Sequence, residues 1–297
     1  MAGIYLQRAG RLSRALYRSV ATAPARPTAL VDPEWVLDNA SDVRVVDCGS
    51  PDGFRRGHVP GAKLFPMPTK DTQDPFGMLP EPYFRACLQH LDVGSDTTLV
   101  FYDDQFSLNA TRAWWVARVY GVPRDQIKVL DGGWQRWVQN DFEIAVEDKA
   151  TAPPSSPNLP ELSPLPERCL NLAAINAIVA DASSPVQIVD TRSDGEFTGA
   201  TPNGNQRPGR VPRALHWEWN KTIDPSTGRF KSVAEIQAVA DALGLEADRP
   251  VVTYCQRAIR AAHMAFVLEE ILGFKDVRVY EGSMLEYLND PLTHVTK

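Results

Sequence analysis

The sequence predicts an α/β protein built from two copies of one domain, each a parallel sheet with helices on both faces. Three observations support this fold class. Buried-strand patterns recur in the same order in both halves, each strand is a nearly continuous apolar run, and helical stretches alternate with the strands. Strands that are apolar throughout are typical of parallel sheets covered by helices. Landmarks repeated in register indicate a duplicated domain.

Three pairs of strand patterns define the repeat. VRVVDCG matches VQIVDTR, TTLVFYDD matches RPVVTYCQ, and IKVLDGGWQRW matches VRVYEGSMLEY, with equivalent positions 143, 152 and 150 residues apart. Asp47 lies 10 residues before Gly57, whereas Asp190 lies 19 residues before Gly209. The second copy therefore contains a nine-residue insertion, within EFTGATPNGNQRP.

Helices and a linker complete the predicted organisation. The stretches Asn109–Tyr120 and Arg260–Leu272 have apolar residues at three- and four-residue spacing, which predicts a helix after the second main strand of each copy. Between the copies, TAPPSSPNLPELSPLPE has six prolines in seventeen residues, and such a segment cannot continue a helix or a central strand. We expect a first domain over residues 31–148, an extended linker over 149–168 and a second domain over 169–297.

The start of the chain has the composition of an organellar transit peptide. Residues 1–30 contain five arginines and neither aspartate nor glutamate, and Leu6, Ala9, Leu12 and Leu16 lie near helical spacing. Basic, acid-free, amphipathic segments are typical of such signals. The prediction is a mitochondrial protein, in the matrix, with a plastid as the alternative compartment and a disordered basic tail as the alternative for the segment itself.

Charge limits the classes of partner. Without the first 30 residues the chain has 26 lysines and arginines against 37 acidic residues, a net charge of −11. An acidic protein is disfavoured as a ligand of nucleic acids and of anionic membrane surfaces, and no apolar stretch approaches the ~20 residues that span a bilayer. A small polar substrate is expected. The sequence makes no prediction about oligomeric state.

One cysteine has chemically suggestive neighbours. The chain has four, far apart and without a C-x-x-C pair or a Cys/His cluster, so neither a zinc site nor a dense disulfide framework is predicted. Cys255 ends an apolar strand and is followed by a turn with Arg257 and a helix that starts near Arg260. Ligands of parallel sheets bind beyond the carboxyl ends of strands, where helix N-termini favour a thiolate. We expect an ionised, solvent-accessible thiol; a buried inert cysteine is the alternative.

Four stretches in register resemble the rhodanese family, in particular its tandem-domain thiosulfate and 3-mercaptopyruvate sulfurtransferases. They are GHVPGA and LDGGW in the first half, and YCQRAIRAAH and VYEGSMLEYLNDP in the second. The resemblance covers roughly residues 31–297. It implies two tandem rhodanese-like domains, of which only the second is catalytic, and a sulfurtransferase that requires no metal or organic cofactor.

The resemblance also implies a mechanism. Cys255 would take the outer sulfur of a donor such as thiosulfate, hold it as a persulfide, and pass it to a thiol or cyanide acceptor. The loop after Cys255 would cradle this sulfur with its N–H groups, and its two arginines would bind the negative end of the donor. The residues of this loop are Gln256, Arg257, Ala258, Ile259 and Arg260.

Two further arginines are candidates for substrate contact, and the first domain lacks the nucleophile. Arg192 and Arg207 are the candidates, although a strand-end salt bridge between Asp190 and Arg192 is an equal alternative. In the first half, Asp103 stands in the position of Cys255. Because an aspartate cannot hold a transferable sulfur, only the second half is expected to carry out the reaction.

The sequence departs from the family at two positions. Ala258 stands where tandem members usually have glycine, and alanine there costs about 1 kcal/mol if the position requires a positive φ. Glu196 stands where both branches commonly have arginine, and it would repel the carboxylate of mercaptopyruvate unless Arg192 or Arg207 compensates. Since the loop arginines favour an inorganic dianion, thiosulfate is the predicted donor and mercaptopyruvate, with pyruvate as product, is the alternative.

Two other functions are alternatives. A cysteine-based phosphatase or arsenate reductase would need an arginine six positions after the cysteine, where this chain has Ala261. A module that carries sulfur or binds a protein without turnover is the non-enzymatic alternative. Of the remaining polar residues, we expect His263 to be packed inside the helix layer, and Glu281 and Ser283 to lie on the rim of the pocket.

Overall fold

The computed structural model describes residues 27–65, 74–146 and 158–297. Residues 1–26 of the predicted transit peptide and residues 149–157 of the predicted linker lie outside the described residues. Among the described helices, none combines the length and the apolar character that a bilayer crossing requires.

The first domain is a five-stranded parallel sheet between two layers of helices. Its strands are β1 (Leu30–Val31), β2 (Val43–Asp47), β3 (Lys63–Leu64), β4 (Thr98–Tyr102) and β5 (Ile127–Leu130), and its helices are α1 (Pro33–Asp38), α2 (Pro51–Arg56), α3 (Glu81–His90), α4 (Leu108–Val119) and α5 (Gly133–Gln139), with a 3₁₀ turn at Arg124–Gln126. The strand order is β1-β5-β4-β2-β3, and every neighbouring pair is parallel.

The second domain repeats this architecture. Its strands are β6 (Cys169–Leu170), β7 (Gln187–Asp190), β8 (Leu215–His216), β9 (Val251–Tyr254) and β10 (Val277–Tyr280), and its helices are α6 (Leu172–Ala180), α7 (Asp194–Thr198), α8 (Val233–Ala242), α9 (Ile259–Phe266) and α10 (Ser283–Tyr287). A π-helical turn, Val267–Ile271, extends α9, and 3₁₀ turns lie at Pro166–Arg168 and Trp219–Thr222. The parallel order β6-β10-β9-β7-β8 and the matching registers Asp47–Tyr102 and Asp190–Tyr254 confirm the predicted fold class and duplication.

The alternation of side chains along each strand explains the two helix layers. Val46 and Phe101 lie in one apolar cluster with α3 and α4, whereas Val45 and Val100 lie in a second cluster with residues of α1, α2 and α5. Because successive side chains of a strand point to opposite faces, strands that are apolar throughout bury both faces. This is the physical reason why the near-continuous apolar runs predicted a covered parallel sheet.

The two domains share one core. Helices α4 and α9 pack against each other, with the ring of Trp114 edge-on to Phe266 at 5.0 Å. Arg112 forms a buried ion pair with Glu281 at 2.8 Å, and Trp115 donates to the same carboxylate at 3.0 Å. Glu281 therefore lies in the domain interface, and its predicted place on a pocket rim is wrong. A buried ion pair of this kind fixes orientation more than it adds stability.

The structure corrects one predicted boundary and shows how the end of the linker packs. Leu30, assigned to the transit peptide, pairs with Val129 in the first sheet, so the first domain begins before residue 31. The described end of the linker is packed rather than free, because Leu162 is buried and the Leu165 N–H donates to the Val119 carbonyl at 2.7 Å. The second sheet begins at Cys169, where the second domain was expected to start.

Candidate active site

Cys255 lies at the carboxyl end of β9, directly before the loop that leads into α9. It is only 1% exposed, so the expectation of a solvent-accessible thiol is wrong for this structure. The thiol is close enough to the guanidinium of Arg260 to raise the pKa of that arginine, and it also raises the pKa of Arg112 at the domain interface. Burial lowers the pKa of Arg260, but the carboxylate of Glu196 and the sulfur of Cys255 outweigh burial and raise it.

Ser283 binds the backbone of the loop that follows Cys255. Its hydroxyl oxygen accepts hydrogen bonds from the backbone N–H groups of Cys255 and Ala258, both at 3.2 Å, and donates to the Tyr280 carbonyl at 2.8 Å. Ser283 is fully buried, which corrects its predicted position on the rim. Its φ of +49° is strained for a non-glycine residue, and strain of this kind persists where the surroundings hold the backbone.

Ala258 adopts the left-handed conformation, which is the condition under which alanine at this position was expected to cost energy. Its φ is +62°, and it is the N-cap of α9. The reason is geometric, because the chain must reverse from the end of β9 into the helix within four residues. The first domain solves the same problem with Ser107, whose φ is +63° at the N-cap of α4.

The corresponding loop of the first domain shows what this backbone can hold. The carboxylate of Asp103 accepts four backbone N–H groups, from Gln105 at 2.8 Å, Ser107 at 2.9 Å, Asn109 at 2.6 Å and Ala110 at 2.8 Å. Burial raises the pKa of Asp103 to about 6, while the four donors act in the opposite direction. The loop is therefore a cradle of N–H donors that encloses an anionic group.

One backbone contact is common to the two loops. The N–H of Trp134 donates to the Asp103 carbonyl at 2.9 Å, and the N–H of Met284 donates to the Cys255 carbonyl at 3.0 Å. No described residue accepts a hydrogen bond from the backbone N–H of Arg257 or Arg260. These donors are available to an anion on Cys255.

Arg260 is bound by Glu196, a pairing that the sequence did not predict. The two side chains form a bidentate ion pair at 2.7 and 2.9 Å. Asn203 donates to the same carboxylate at 2.9 Å, and the Ser193 hydroxyl donates to it at 2.9 Å. Burial raises the pKa of Glu196, but Arg260 and these donors lower it to about 2. The compensating cation is Arg260, and the expectation that Arg192 or Arg207 would compensate is wrong.

Arg192 and Arg207 have other partners. Arg192 is 1% exposed, binds Asp190 with two nitrogens at 3.0 and 2.7 Å, and donates to the Gly209 carbonyl at 2.9 Å, which is the strand-end salt bridge held open as the alternative. Arg207 donates to the carbonyls of Tyr287 and Thr293, both at 2.9 Å, and so anchors the C-terminal segment. The described contacts of both guanidinium groups are structural.

The insertion of the second domain lies against the loop. Asn205 and Gln256 exchange two amide hydrogen bonds, at 2.8 and 3.1 Å, and Asn203 of the same insertion contacts Glu196. Sequence reasoning missed both asparagines, although their presence in only the copy that has Cys255 was a usable signal. The other two predicted loop residues differ in exposure: Ile259 is half-buried at the first position of α9, and Arg257 is exposed without an ion-pair partner among the described residues.

His263 is packed, as expected. It is fully buried on α9, its Nε2 lies 2.8 Å from the Thr222 hydroxyl, and its ring stacks on Phe230 with centroids 5.2 Å apart. Burial lowers its pKa to about 3, so the ring is neutral at physiological pH. This histidine is a core residue.

Comparisons with known proteins agree with this architecture. The rhodanese-like domain matches residues 32–140 and 176–290. The chain is 30% identical over 282 residues to the sulfur carrier protein TtuD of Thermus thermophilus, covering 89% of this chain and 95% of the relative. It is 29% identical over 265 residues to thiosulfate sulfurtransferase of Gallus gallus, covering 88% and 86%.

Solved structures share the fold at lower identity. YnjE matches with a TM-score of 0.79 at 22% identity, over 91% of this chain and 68% of that chain. Wild-type EanB matches with a TM-score of 0.77 at 21% identity, over 91% and 69%. Because the family match covers most of both sheets and the duplicated architecture agrees with it, the chain belongs to the rhodanese family.

Proposed function

We propose that this protein is a sulfurtransferase that moves a sulfane sulfur from thiosulfate to a thiol or cyanide acceptor through a persulfide on Cys255. The observation that carries the proposal is the pair of backbone N–H groups of Arg257 and Arg260, which have no acceptor among the described residues, in a loop whose counterpart in the first domain encloses a carboxylate. A thiolate or persulfide on Cys255 has the same need for donors as that carboxylate.

The reaction has two balanced steps. The Cys255 thiolate attacks the outer sulfur of thiosulfate, an S–S bond forms, the S–S bond of thiosulfate breaks, and sulfite leaves with the electron pair. An acceptor thiolate or cyanide then attacks the outer sulfur of the persulfide, giving a new persulfide or thiocyanate and regenerating the thiolate. Arg260 lies beside the sulfur throughout, and exposed Arg257 supplies a positive charge for the approaching dianion.

Relatives support thiosulfate as the donor. Those named thiosulfate sulfurtransferase include the Gallus gallus protein and a putative one of Mycolicibacterium smegmatis, which is 29% identical over 275 residues. The likeness to TtuD, named a sulfur carrier protein, keeps a second candidate in which the persulfide is delivered to another protein. Mercaptopyruvate remains the alternative donor. The two loop arginines were expected to favour the thiosulfate dianion, and the ion pair with Glu196 neutralises one of them, Arg260.

Intact-mass measurement tests the first step. After incubation with thiosulfate, the full chain is expected to gain the mass of one sulfur atom, and Cys255→Ser is expected to gain none. Cys87→Ser is the matched control, because Cys87 is a half-buried free thiol outside the site. Unmodified wild-type protein, or a sulfur that persists in Cys255→Ser, would contradict the proposal.

Turnover separates the remaining candidates. We expect thiocyanate formation from thiosulfate and cyanide to exceed pyruvate formation from mercaptopyruvate, and a chromogenic phosphate ester to be left intact because the loop arginine is five rather than six positions after Cys255. A greater rate with mercaptopyruvate would reverse the order of donors. One loading event without multiple turnover would identify a sulfur carrier.

We also propose import into the mitochondrial matrix, directed by the basic residues 1–26 that precede the first sheet. Fusion of these residues to a fluorescent protein is expected to give mitochondrial fluorescence. Replacing Arg11 and Arg14 by glutamate should abolish it, because the positive charge of the segment is what distinguishes it. Plastid fluorescence in a plant cell would favour the alternative compartment, and diffuse fluorescence would contradict both.

A further inference from the structure

Because the domain is duplicated, the cleft at the carboxyl end of β7 can be compared with its equivalent at the carboxyl end of β2. In the second domain, the space beyond the carboxyl end of β7 is filled by the side chain of Arg192. Its guanidinium binds Asp190 in parallel, donates to the Gly209 carbonyl, and lies 5.9 Å from the ring of Tyr254. The Tyr254 hydroxyl donates to the same aspartate at 2.8 Å. This cleft is built to hold a planar cation.

The first domain has the same aspartate and tyrosine in this cleft but has no arginine at the position of Arg192. Asp47 and Tyr102 are paired in the first sheet as Asp190 and Tyr254 are paired in the second. The Tyr102 hydroxyl donates a hydrogen bond to the Asp47 carboxylate, and burial together with that carboxylate raises the pKa of Tyr102. Gly49 stands in the position of Arg192, two residues after the aspartate in both copies. The N–H of this residue turns back to the aspartate in both, at 2.7 Å for Gly49 and 3.0 Å for Arg192.

A second glycine enlarges the space. Ser50 and Ser193 are the N-caps of equivalent helices, and the third helical residue that donates to them is Gly53 in the first domain and Glu196 in the second. The loss of both side chains leaves a cavity of about 130 Å³, lined by residues that include Asp47, Gly49, Gly53, Tyr102, Asp104 and Trp134. Since one water occupies about 30 Å³ of liquid, this volume accepts a group of several heavy atoms.

The cavity has carboxylates without a bound cation. Asp47 is 6% exposed, and burial raises its pKa, with the carboxylate of Asp104 adding to the effect. Among the described residues, neither aspartate has an ion-pair partner. Arg56 also lines the cavity, and its Nη2 lies 4.0 Å from the position that a Cβ of Gly53 would take, but it forms no ion pair with either aspartate. A buried carboxylate is most stable when a cation supplies directed hydrogen bonds to it, as Arg192 does in the second domain.

We propose that the first domain binds a guanidinium group in this cavity. The bound group would donate two parallel N–H bonds to Asp47 and lie with its planar face beside the ring of Tyr102. In the second domain, Arg192 of the chain itself makes the equivalent contacts with Asp190 and Tyr254. An ammonium ion matches the charge but not the bidentate geometry, so it should bind more weakly. The guanidinium comes from a free guanidino compound or from an arginine side chain of a peptide, and the two sources share this chemistry.

Calorimetric titration of the full chain tests the proposal, with guanidinium chloride and L-arginine at low millimolar concentration against sodium chloride of equal ionic strength. We expect saturable binding with a Kd on the order of 1 mM or tighter, and affinity for L-lysine and ammonium lower by about tenfold. The tripeptide Gly-Arg-Gly identifies the source, because tighter binding of the peptide indicates a protein segment and tighter binding of free arginine indicates a small molecule.

Two variants and one matched control decide the location. Gly49→Arg supplies an internal guanidinium and should abolish binding; a Cβ there would meet Asp47 Oδ1 at 2.9 Å, a distance that the slightly wider turn of Arg192 relieves. Asp47→Asn should weaken binding about tenfold, and it decides alone if Gly49→Arg fails to fold. Gly94→Arg adds the same charge at a position where a Cβ makes only an ordinary contact, with Thr97 Oγ1 at 3.6 Å, and it should bind as the wild type does.

Three results would overturn the proposal. They are the absence of saturable binding by guanidinium and arginine, equal binding of ammonium, and unchanged binding by Gly49→Arg and Asp47→Asn. The test does not involve Cys255, so its outcome is independent of the proposed sulfur transfer.

Discussion

The loops that follow β4 and β9 have the same backbone plan and differ in the residue placed at its centre. In the first domain Asp103 fills the cradle with its own carboxylate, whereas in the second Cys255 places a thiol at the equivalent point. The first loop is also one residue longer between the strand and the left-handed N-cap, at Ser107 and Ala258. The two domains therefore share a strand-end position, and they differ in whether a carboxylate or a thiol lies there.

The charges around the loops differ as well. Arg192 and Glu196 fill the second cleft, and Gly49 and Gly53 leave the first one open. The domain that contains Cys255 has a closed cleft, and the domain that contains Asp103 has a cavity. Substitutions that make one loop resemble the other test how far this difference accounts for function.

The largest effect is expected from Cys255→Asp, which gives the second loop the residue of the first. Sulfur transfer should fall to the uncatalysed background, a loss of at least about 10³-fold, because no group remains to form a persulfide. Thiocyanate formation measures the loss. The melting temperature should stay near that of the wild type, since the cradle accepts a carboxylate; an unfolded variant would show that the two loops are not interchangeable.

Asp103→Ala removes the anion from the first loop. Four backbone N–H groups lose their acceptor, and the free energy of unfolding should fall by about 2–4 kcal/mol. Denaturant titration measures the change, with Asp52→Ala, on an exposed side chain, as the control. A change below about 0.5 kcal/mol would mean that water replaces the carboxylate at no cost.

Glu196→Gln should alter the acid sensitivity of the protein. The folded-state pKa of Glu196 is lowered from 4.5 to about 2, so its contribution to stability is present above pH 4.5 and is lost as pH falls toward 2. We expect the wild type to exceed the variant by about 1–2 kcal/mol at neutral pH and by progressively less between pH 4.5 and 2. Denaturant titrations across this range, with irreversible acid unfolding excluded, give the difference; a constant difference would contradict the ion-pair origin.

The same substitution should change donor affinity. Without the carboxylate, Arg260 offers its full charge, and the KM for thiosulfate should fall about threefold to tenfold while kcat changes less than about twofold. Glu235→Gln is the matched control, because Glu235 closes an equivalent capping box on α8 away from Arg260. A KM that rises would show that Glu196 mainly positions Arg260.

Ala258→Gly gives the smallest expected effect. Relief of the left-handed strain is offset by the greater backbone entropy of glycine in the unfolded chain and by the loss of a buried methyl group, so stability should change by less than about 1 kcal/mol. Thermal unfolding measures it. A gain well above that size would mean that the alanine strains the whole loop.

The central strands and their duplication could be predicted because both depend on local chemistry. VRVVDCG and VQIVDTR form β2 and β7 as expected, and the helix predicted over 109–120 is observed at Leu108–Val119. The four edge strands have two residues each, too few for any periodicity, and pair only because a neighbouring strand is already in place. The same limit explains why Leu30 was assigned to the transit peptide.

At the candidate site, the sequence by itself determined that Cys255 lies at a strand end and that Asp103 lies at the equivalent point of the first copy, because both follow from the apolar runs that precede them. Only the tertiary structure decided which charges meet. Glu196 and Arg260 are 64 residues apart in sequence, and the burial of Cys255 beside them depends on elements that converge only after folding. Side-chain pairing over such separations is set by packing, which no local pattern encodes.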